Sequence, residues 1–354
     1  MSKCEFLVQK TDLSNTSFVD GDASELENGQ ALVEIERFGL TTNNITYAVF
    51  GDALGYWAYF PAEDGWGTVP VWGFAKVVAA QSCELALGER LFGYFPMSSQ
   101  TILTPSELSP LCFADASAHR TSLHPWYNRY YRCVADPVYS EGNVDVQPVL
   151  WALFMTGWMM AEQLADSVDA GFISSASSKT ALSLAWSLKH LNRRTRAIGI
   201  TSSANLEFVQ GLGVYSDVMS YDDLRVDESL STAAYVDIAG NASVTSAAHV
   251  VLGERLVDSV TIGSTHRAPA TQELPMPGPA PRFFFIPDIA EARAAEIGFE
   301  QYHQAFADAW QAFAPWAKEW LAIEFGQGRD AIEAGYHSAL AGGNPPQQAQ
   351  VFSW

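Results

Sequence analysis

The sequence predicts an α/β protein of two domains, an all-β domain followed by a doubly wound parallel sheet. Three observations predict it. From residue 171 onward, five short apolar strands alternate with helical segments, as in a parallel sheet with helical crossovers. Between Ala31 and about Tyr94, apolar and polar residues alternate and glycines punctuate the runs, which reads as strands. The length of 354 residues is about twice that of a common single domain. At 48% hydrophobic and 17% charged residues, the chain is no disordered polymer and has ample core.

The N-terminus, MSKCEFLVQKTD, has an acid at position 5 and no apolar run of a secretory leader. Strands are expected in ALVEIERFGL, VWGFAKVVAAQ and ERLFGYFPM. Residues 112–148, rich in Tyr, Arg, His and Pro, follow no regular pattern. Val149 to Ala161 is apolar but too short to span a bilayer, so it reads as a buried helix.

GFISSA (171–176) is the first strand of the second half, followed by the helix TALSLAWSLKHL. RAIGIT (196–201) is the next strand, after the roughly 25-residue interval of a βαβ unit. ANLEFVQGLG follows as a helix closed by glycine. SDVMSY (216–221), AAYVDIAG (233–240) and RLVDSVTIG (255–263) complete the five, with a helix near 241–252. After the Pro-rich TQELPMPGPAPR comes a short strand, FFFIP, and then a helical tract from Asp288 to about Ile323. Its Trp310, Trp316 and Trp320 read as packing residues.

Acids outnumber bases 40 to 20, for a net charge of −20. Nucleic acid and anionic membranes are thereby excluded as general partners, because a basic face is lacking. A small-molecule ligand is expected. Cys4, Cys83, Cys112 and Cys133 form no CxxC pair, so they read as reduced thiols of a cytoplasmic protein. The histidines, among them His119, His124, His249, His266, His303 and His337, show no metal-ligand spacing, and no metal site is expected. Nor is there a nucleophile elbow.

Open parallel sheets bind ligands beyond the carboxyl ends of their strands, at the point where strand order reverses. The first strand–helix turn, where a cofactor pyrophosphate sits, is here Ser174-Ser175-Ala176-Ser177-Ser178-Lys179-Thr180-Ala181. It lacks GxGxxG. Its residues are nonetheless small, Ser175, Ser177, Ser178 and Thr180 carry hydroxyls, and Ala181 takes the place of the third glycine. Lys179 in a first helical turn opposes the helix dipole at about 0.3–1 kcal/mol. A phosphate beside it reverses that sign; the alternative is a solvent-exposed lysine tolerating the cost.

Gly171 to Leu206 contains Lys179, Lys189, Arg193, Arg194 and Arg196 and no acid. The arginines fall at the far edge of the sheet and suit the helix C-terminus. Beyond the second strand, Thr201, Ser202 and Ser203 stand where an acid would select NAD(H), which favours NADP(H).

These elements resemble the medium-chain dehydrogenase/reductase superfamily, in its zinc-free quinone oxidoreductase and enoyl reductase branches. GQALVEIERFGL looks like the opening strand, VPVWGFAKVVAA like the glycine-centred approach to the barrel, and LGERLFGYF like "GDRVFG". LGVYSDVMSYDD and GERLVDSVTIGS resemble the second-domain motifs. The resemblance implies a GroES-like β-barrel catalytic domain over residues 1–125, completed by 290–354, and a Rossmann NADP-binding domain over 126–289. The tail ALAGGNPPQQAQVFSW would return to the first domain, and strand 255–263 would pair across a two-fold in a homodimer.

The chain departs from zinc-dependent members, with Gly73-Phe74-Ala75 where they carry Gly-His-Glu, so no zinc is expected. The insertion 119–137 has no counterpart in the family pattern; it shapes a substrate pocket or covers the domain junction. The resemblance implies hydride transfer from NADPH to an activated alkene, quinone or carbonyl of a small apolar molecule. Counting back from Gly51 places the family tyrosine on Tyr47, as acid or electrostatic stabiliser, unless it is a core aromatic. The family asparagine falls on Thr42, with Asn43 adjacent. Thr156 resembles a threonine near the nicotinamide, or bonds back along its helix. Ala239, Gly240, Gly263 and Ser264 end strands that line the cofactor, and Tyr221 would stack near adenine. Tyr47, Tyr56, Trp57, Tyr59 and Trp66 would favour a flat or apolar substrate, or simply pack the barrel. The other reading is a catalytically inactive Rossmann-type ligand-binding or regulatory protein.

Overall fold

The computed structural model describes residues 3–22, 25–191, 194–263 and 274–354. The chain forms two compact units, Met1–Trp151 with Glu300–Trp354, and Ala152–Phe299.

Among the described residues, the first unit is built on a nine-stranded and a three-stranded sheet. Strand Gln30–Leu40 carries the expected alternation, burying Ala31, Val33 and Ile35. It pairs antiparallel with Pro70–Gln81, which pairs with Arg90–Pro96. The C-terminal strand Gln348–Ser353 pairs with the other side of Gln30–Leu40, so the tail returns to this unit. Phe6, Val33, Phe38, Val71, Phe95 and Phe352 belong to one core.

Two expectations change here. The unit is not all-β: Thr42–Val49 is a helix, and so is Gly328–Ala341. Thr41 caps the first of these, accepting from Asn43 N–H while Asn44 Oδ1 accepts from Thr41 N–H. The boundary expected near residue 125 lies inside the first unit. The reason is hydrogen bonding: Arg129–Arg132 is a strand between Arg90–Pro96 and Cys112–Asp115. The insertion 119–137 therefore lies within this unit, with Arg129–Arg132 in its sheet.

The second unit is the doubly wound sheet. Its strands lie in the order Asp217–Ser220, Arg196–Thr201, Ala170–Ile173, Ala233–Asp237, Leu256–Thr261, Arg282–Phe283, and all are parallel. That is the 3-2-1-4-5-6 order of dinucleotide-binding folds. Phe172, Ile198, Ile200 and Tyr235 form its core. Arg282–Phe283 pairs with the last two residues of Leu256–Thr261, Val260 and Thr261.

The tract expected as one helix from 288 to 323 is two, Ile286–Ile297 and Phe299–Trp320. Gly298, at φ +89°, breaks it, a backbone conformation glycine adopts without penalty. Trp310 is fully buried in the second helix, in keeping with a packing role. Val149–Ala161 lies within the helix Gln147–Leu164. No helix among the described residues is long and apolar enough to cross a membrane.

Candidate functional site

The order of the sheet in the second unit reverses between Ala170–Ile173 and Ala233–Asp237. Two side chains lock the carboxyl ends of these strands together. Asp237, 4% exposed, accepts through Oδ1 from Ser174 Oγ at 3.0 Å and from the Ala239 and Gly240 N–H groups, and through Oδ2 from Thr245 Oγ1. Ser174 Oγ itself accepts from Ile238 N–H at 3.0 Å. A buried carboxylate needs such a full set of donors. Sequence reasoning passed over Asp237, although an acid closing the apolar run AAYV was the available signal.

The turn after Ser174 leads into the helix Lys179–His190, which Ser178 caps by accepting from Ala181 N–H. Ser178 is thus occupied by the helix. Ser175 sits at φ +50°, and its N–H donates to the Tyr221 hydroxyl at 3.1 Å. Tyr221 is therefore committed to the turn through its hydroxyl. Ser177 Oγ accepts from Asn205 Nδ2 at 3.1 Å and stands 3.5 Å from Thr201 Oγ1, which ties the first turn to the end of the second strand. Among the described residues, the backbone N–H groups of Ser177 and Thr180 have no acceptor. Ala181 is fully buried, as the close packing at that position requires.

Lys179 is the first residue of the helix and is half-buried. Burial holds its ammonium down, to about 8. Loop Ser202 is half-buried and Ser203 exposed. Gly240 takes φ +73° while its N–H reaches Asp237. Gly263 lies against the Ile238 carbonyl, so that a Cβ there would be 2.4 Å from the oxygen. Ala239 is buried beside them. Ser264, His266 and Arg193 lie outside the described residues. Lys189 and Arg196 are engaged at the far edge, with the Gly213 carbonyl at 2.7 Å and Asp227 at 2.9 Å. Thr156 donates its hydroxyl to the Ala152 carbonyl at 2.9 Å, one helical turn back.

In the first unit, Thr42, Asn43 and Tyr47 share the helix Thr42–Val49. Thr42 is exposed, whereas Tyr47 is 6% exposed. Trp72 Nε1 donates to the Tyr47 hydroxyl at 3.2 Å. Burial pushes the phenol up to about 12, so it remains a neutral donor at pH 7. Around it stand Tyr56, Tyr94 and Tyr127, with ring centroids 4.8, 5.4 and 6.2 Å from that of Tyr47.

Of the five aromatics singled out in the sequence, Tyr47, Tyr56 and Tyr59 join this cluster. Trp57 instead fills the space against Gly51 and Gly67, and Trp66 sits in a short strand beside Gln9. Tyr94 and Tyr127 come from distant segments, and no sequence signal linked them to Tyr47. Among the described residues, the buried Tyr94 hydroxyl has no hydrogen-bond partner.

Among the described residues, no three His, Cys, Asp or Glu side chains assemble a metal-binding group. Phe74, at the family's zinc-motif position, packs 5.1 Å from Phe92. One histidine does meet an acid: His303 Nε2 lies 2.8 Å from Asp136 Oδ1, both buried, with Tyr131 stacked on the imidazole. Their separation along the chain hid this pair from any spacing rule.

The whole chain is similar in fold to solved reductase structures. The Etr1p/Etr2p heterodimer, a mitochondrial 2-enoyl thioester reductase from Candida tropicalis, matches with a TM-score of 0.64 at 11% identity over 100% of both chains. CurA from Vibrio vulnificus, in complex with NADPH, gives 0.62 at 14% identity over 99% of this chain and 98% of that one. A protein assigned as an NADPH:quinone reductase from Bacillus thuringiensis gives 0.64 at 10% identity over 100% and 99%. The fold is thus GroES-like plus Rossmann, as the sequence predicts. No curated protein matches the sequence. A family model described as "protein of unknown function (DUF2855)" matches residues 38–345, and the chain belongs to that family.

Proposed function

We propose that the protein is a zinc-independent, NADPH-dependent oxidoreductase that reduces an activated alkene, quinone or carbonyl of a small apolar molecule. The observation that carries this reading is the switch-point crevice of the second unit. There Ser174 and Asp237 fix the strand ends, while Ser177 N–H, Thr180 N–H and Lys179 stand at the start of a twelve-residue helix. Unpaired N–H groups, a helix N-terminus and a cation fit a pyrophosphate. Gly263 packs so closely on the Ile238 carbonyl that a Cβ there would stand 2.4 Å from its oxygen. NADPH, when bound, supplies the hydride.

Ser177, Lys179 and Thr180 would hold phosphate. The uncharged Thr201–Ser203 end of the second strand would admit a 2′-phosphate. Tyr47, neutral and oriented by Trp72, would donate to the oxygen or carbon that gains charge. Phe74 supplies no ligand atom where the family's zinc motif has histidine. Etr1p with NADP and crotonyl-CoA, and CurA with NADPH, carry such ligands on the same fold.

One observation favours a second reading, a binding protein without turnover: the Tyr221 hydroxyl already holds the Ser175 N–H within the turn. Fluorescence titration with NADPH and NADH, followed by a panel of quinones and enones, separates the two. Tighter binding of NADPH with oxidation by at least one acceptor is expected. Binding without turnover favours the second reading, and no binding overturns both.

A further inference from the structure

The first unit contains a cavity of about 210 Å³ that includes none of Tyr47, Thr42 and Asn43 in its lining. Leu32, Phe60, Pro61, Pro96 and Ile102 give it apolar walls, and Arg120, from the insertion, is buried beside them at 2% exposure. A buried guanidinium is costly unless its donors are satisfied. Arg120 is partly satisfied. Its Nε donates to the Tyr59 carbonyl at 3.2 Å and faces Asp115 at 3.3 Å, and its Nη1 donates to the Tyr130 hydroxyl at 2.9 Å. The ring of Phe60 lies 4.5 Å from the guanidinium carbon. Among the described residues, Nη2 has no acceptor.

The acids of the lining are already engaged. Asp115 Oδ1 accepts from Thr104 N–H, Ser117 N–H and Ser117 Oγ. Glu5 pairs with Lys3 at 2.8 Å and accepts from Thr68 Oγ1 at 2.8 Å. What the cavity lacks is a second acceptor for the Arg120 guanidinium beside Asp115, in a wall that mixes these apolar residues with Lys3, Glu5, Gln100, Thr101 and His119. Carboxylate oxygens suit that fork better than any neutral group. The cavity is smaller than a drug-sized pocket, which sets the ligand at roughly ten non-hydrogen atoms.

We infer that this cavity is a binding site for a small monocarboxylate with a compact apolar body, held by Arg120 and separate from the dinucleotide crevice. The test uses benzoate and its uncharged analogue benzamide, titrated calorimetrically into the full chain with and without NADPH. Two variants accompany it: Arg120→Lys keeps the charge and removes the fork, and Ile102→Trp fills the cavity while leaving the Arg120–Asp115 pair intact. Saturable benzoate binding is expected, at least about tenfold weaker for benzamide and for each variant, and unaffected by NADPH. If Arg120→Lys fails to fold, Ile102→Trp alone decides. No saturable benzoate binding, equal binding of benzamide, unchanged affinity in Ile102→Trp, or displacement by NADPH would each overturn the inference. NADPH affinity is read separately, so failure here is distinguishable from failure of the oxidoreductase reading.

Discussion

Ser174 Oγ and Asp237 Oδ1, 3.0 Å apart, join the two strands between which the sheet reverses its order. The bond holds the floor of the crevice without occupying the turn above it. Both groups are buried, and the Ser174 hydroxyl proton has Asp237 as its acceptor. Ser174→Ala should cost about 1–2 kcal/mol, since Ile238 N–H and Asp237 each lose a partner. Asp237→Ala strands four donors and should cost at least about 3 kcal/mol. Urea unfolding of both variants checks the order; an equal or reversed pair of losses would contradict it.

Lys179 makes a pH-dependent prediction. Its pKa is lowered from 10.5 to about 8 in the folded chain. Between those values the unfolded state binds more protons, so this group's contribution to stability rises with pH across that window, its penalty being full below it. Phosphate beside the ammonium would favour the charged form and raise its pKa. NADPH affinity should therefore fall as pH rises through about 8. Lys179→Met should bind roughly tenfold more weakly at neutral pH and lose that dependence. An affinity profile that is the same in both proteins would remove Lys179 from the site.

Tyr47→Phe separates chemistry from packing. Trp72 Nε1 loses its acceptor, a stability loss of about 1 kcal/mol. If the phenol donates in the reaction, kcat falls by about 10²–10³ while NADPH affinity stays put. Single-turnover oxidation of NADPH reads this directly, and an unchanged rate would leave Tyr47 a core aromatic.

Two glycines should respond oppositely to alanine. At Gly263 a Cβ would stand 2.4 Å from a backbone carbonyl oxygen that cannot rotate away, and Gly263→Ala should lose roughly 2–3 kcal/mol. Gly211, in the helix Leu206–Gly211, has open space around it. Gly211→Ala should gain about 0.5–1 kcal/mol. Thermal denaturation of the two variants compares them.

Much of the second unit was legible from sequence because parallel strands buried on both faces read as short apolar runs. RAIGIT, for instance, is strand Arg196–Thr201 to the residue. The turn Ser174–Ala181 was legible because strand, small residues and helix follow one another locally. The helix Thr42–Val49 was not: its Thr, Asn and Tyr residues have weak helix preference, and the Thr41–Asn44 capping box and packing decide it. Arg129–Arg132 was equally hidden, because its partners lie in strands far along the chain.

The net charge of −20 and the local run of cations from Lys179 to Arg196 are properties of the sequence alone. So are the order of strands and helices and the absence of an acid after the second strand. Tertiary structure decided which of those residues meet. It brought Asp237 under Ser174, Tyr221 onto Ser175, His303 to Asp136, and Arg120 into an apolar cavity. The physical reason is that periodicity and capping act over a few residues, whereas a buried polar group must find its partner wherever the fold places one.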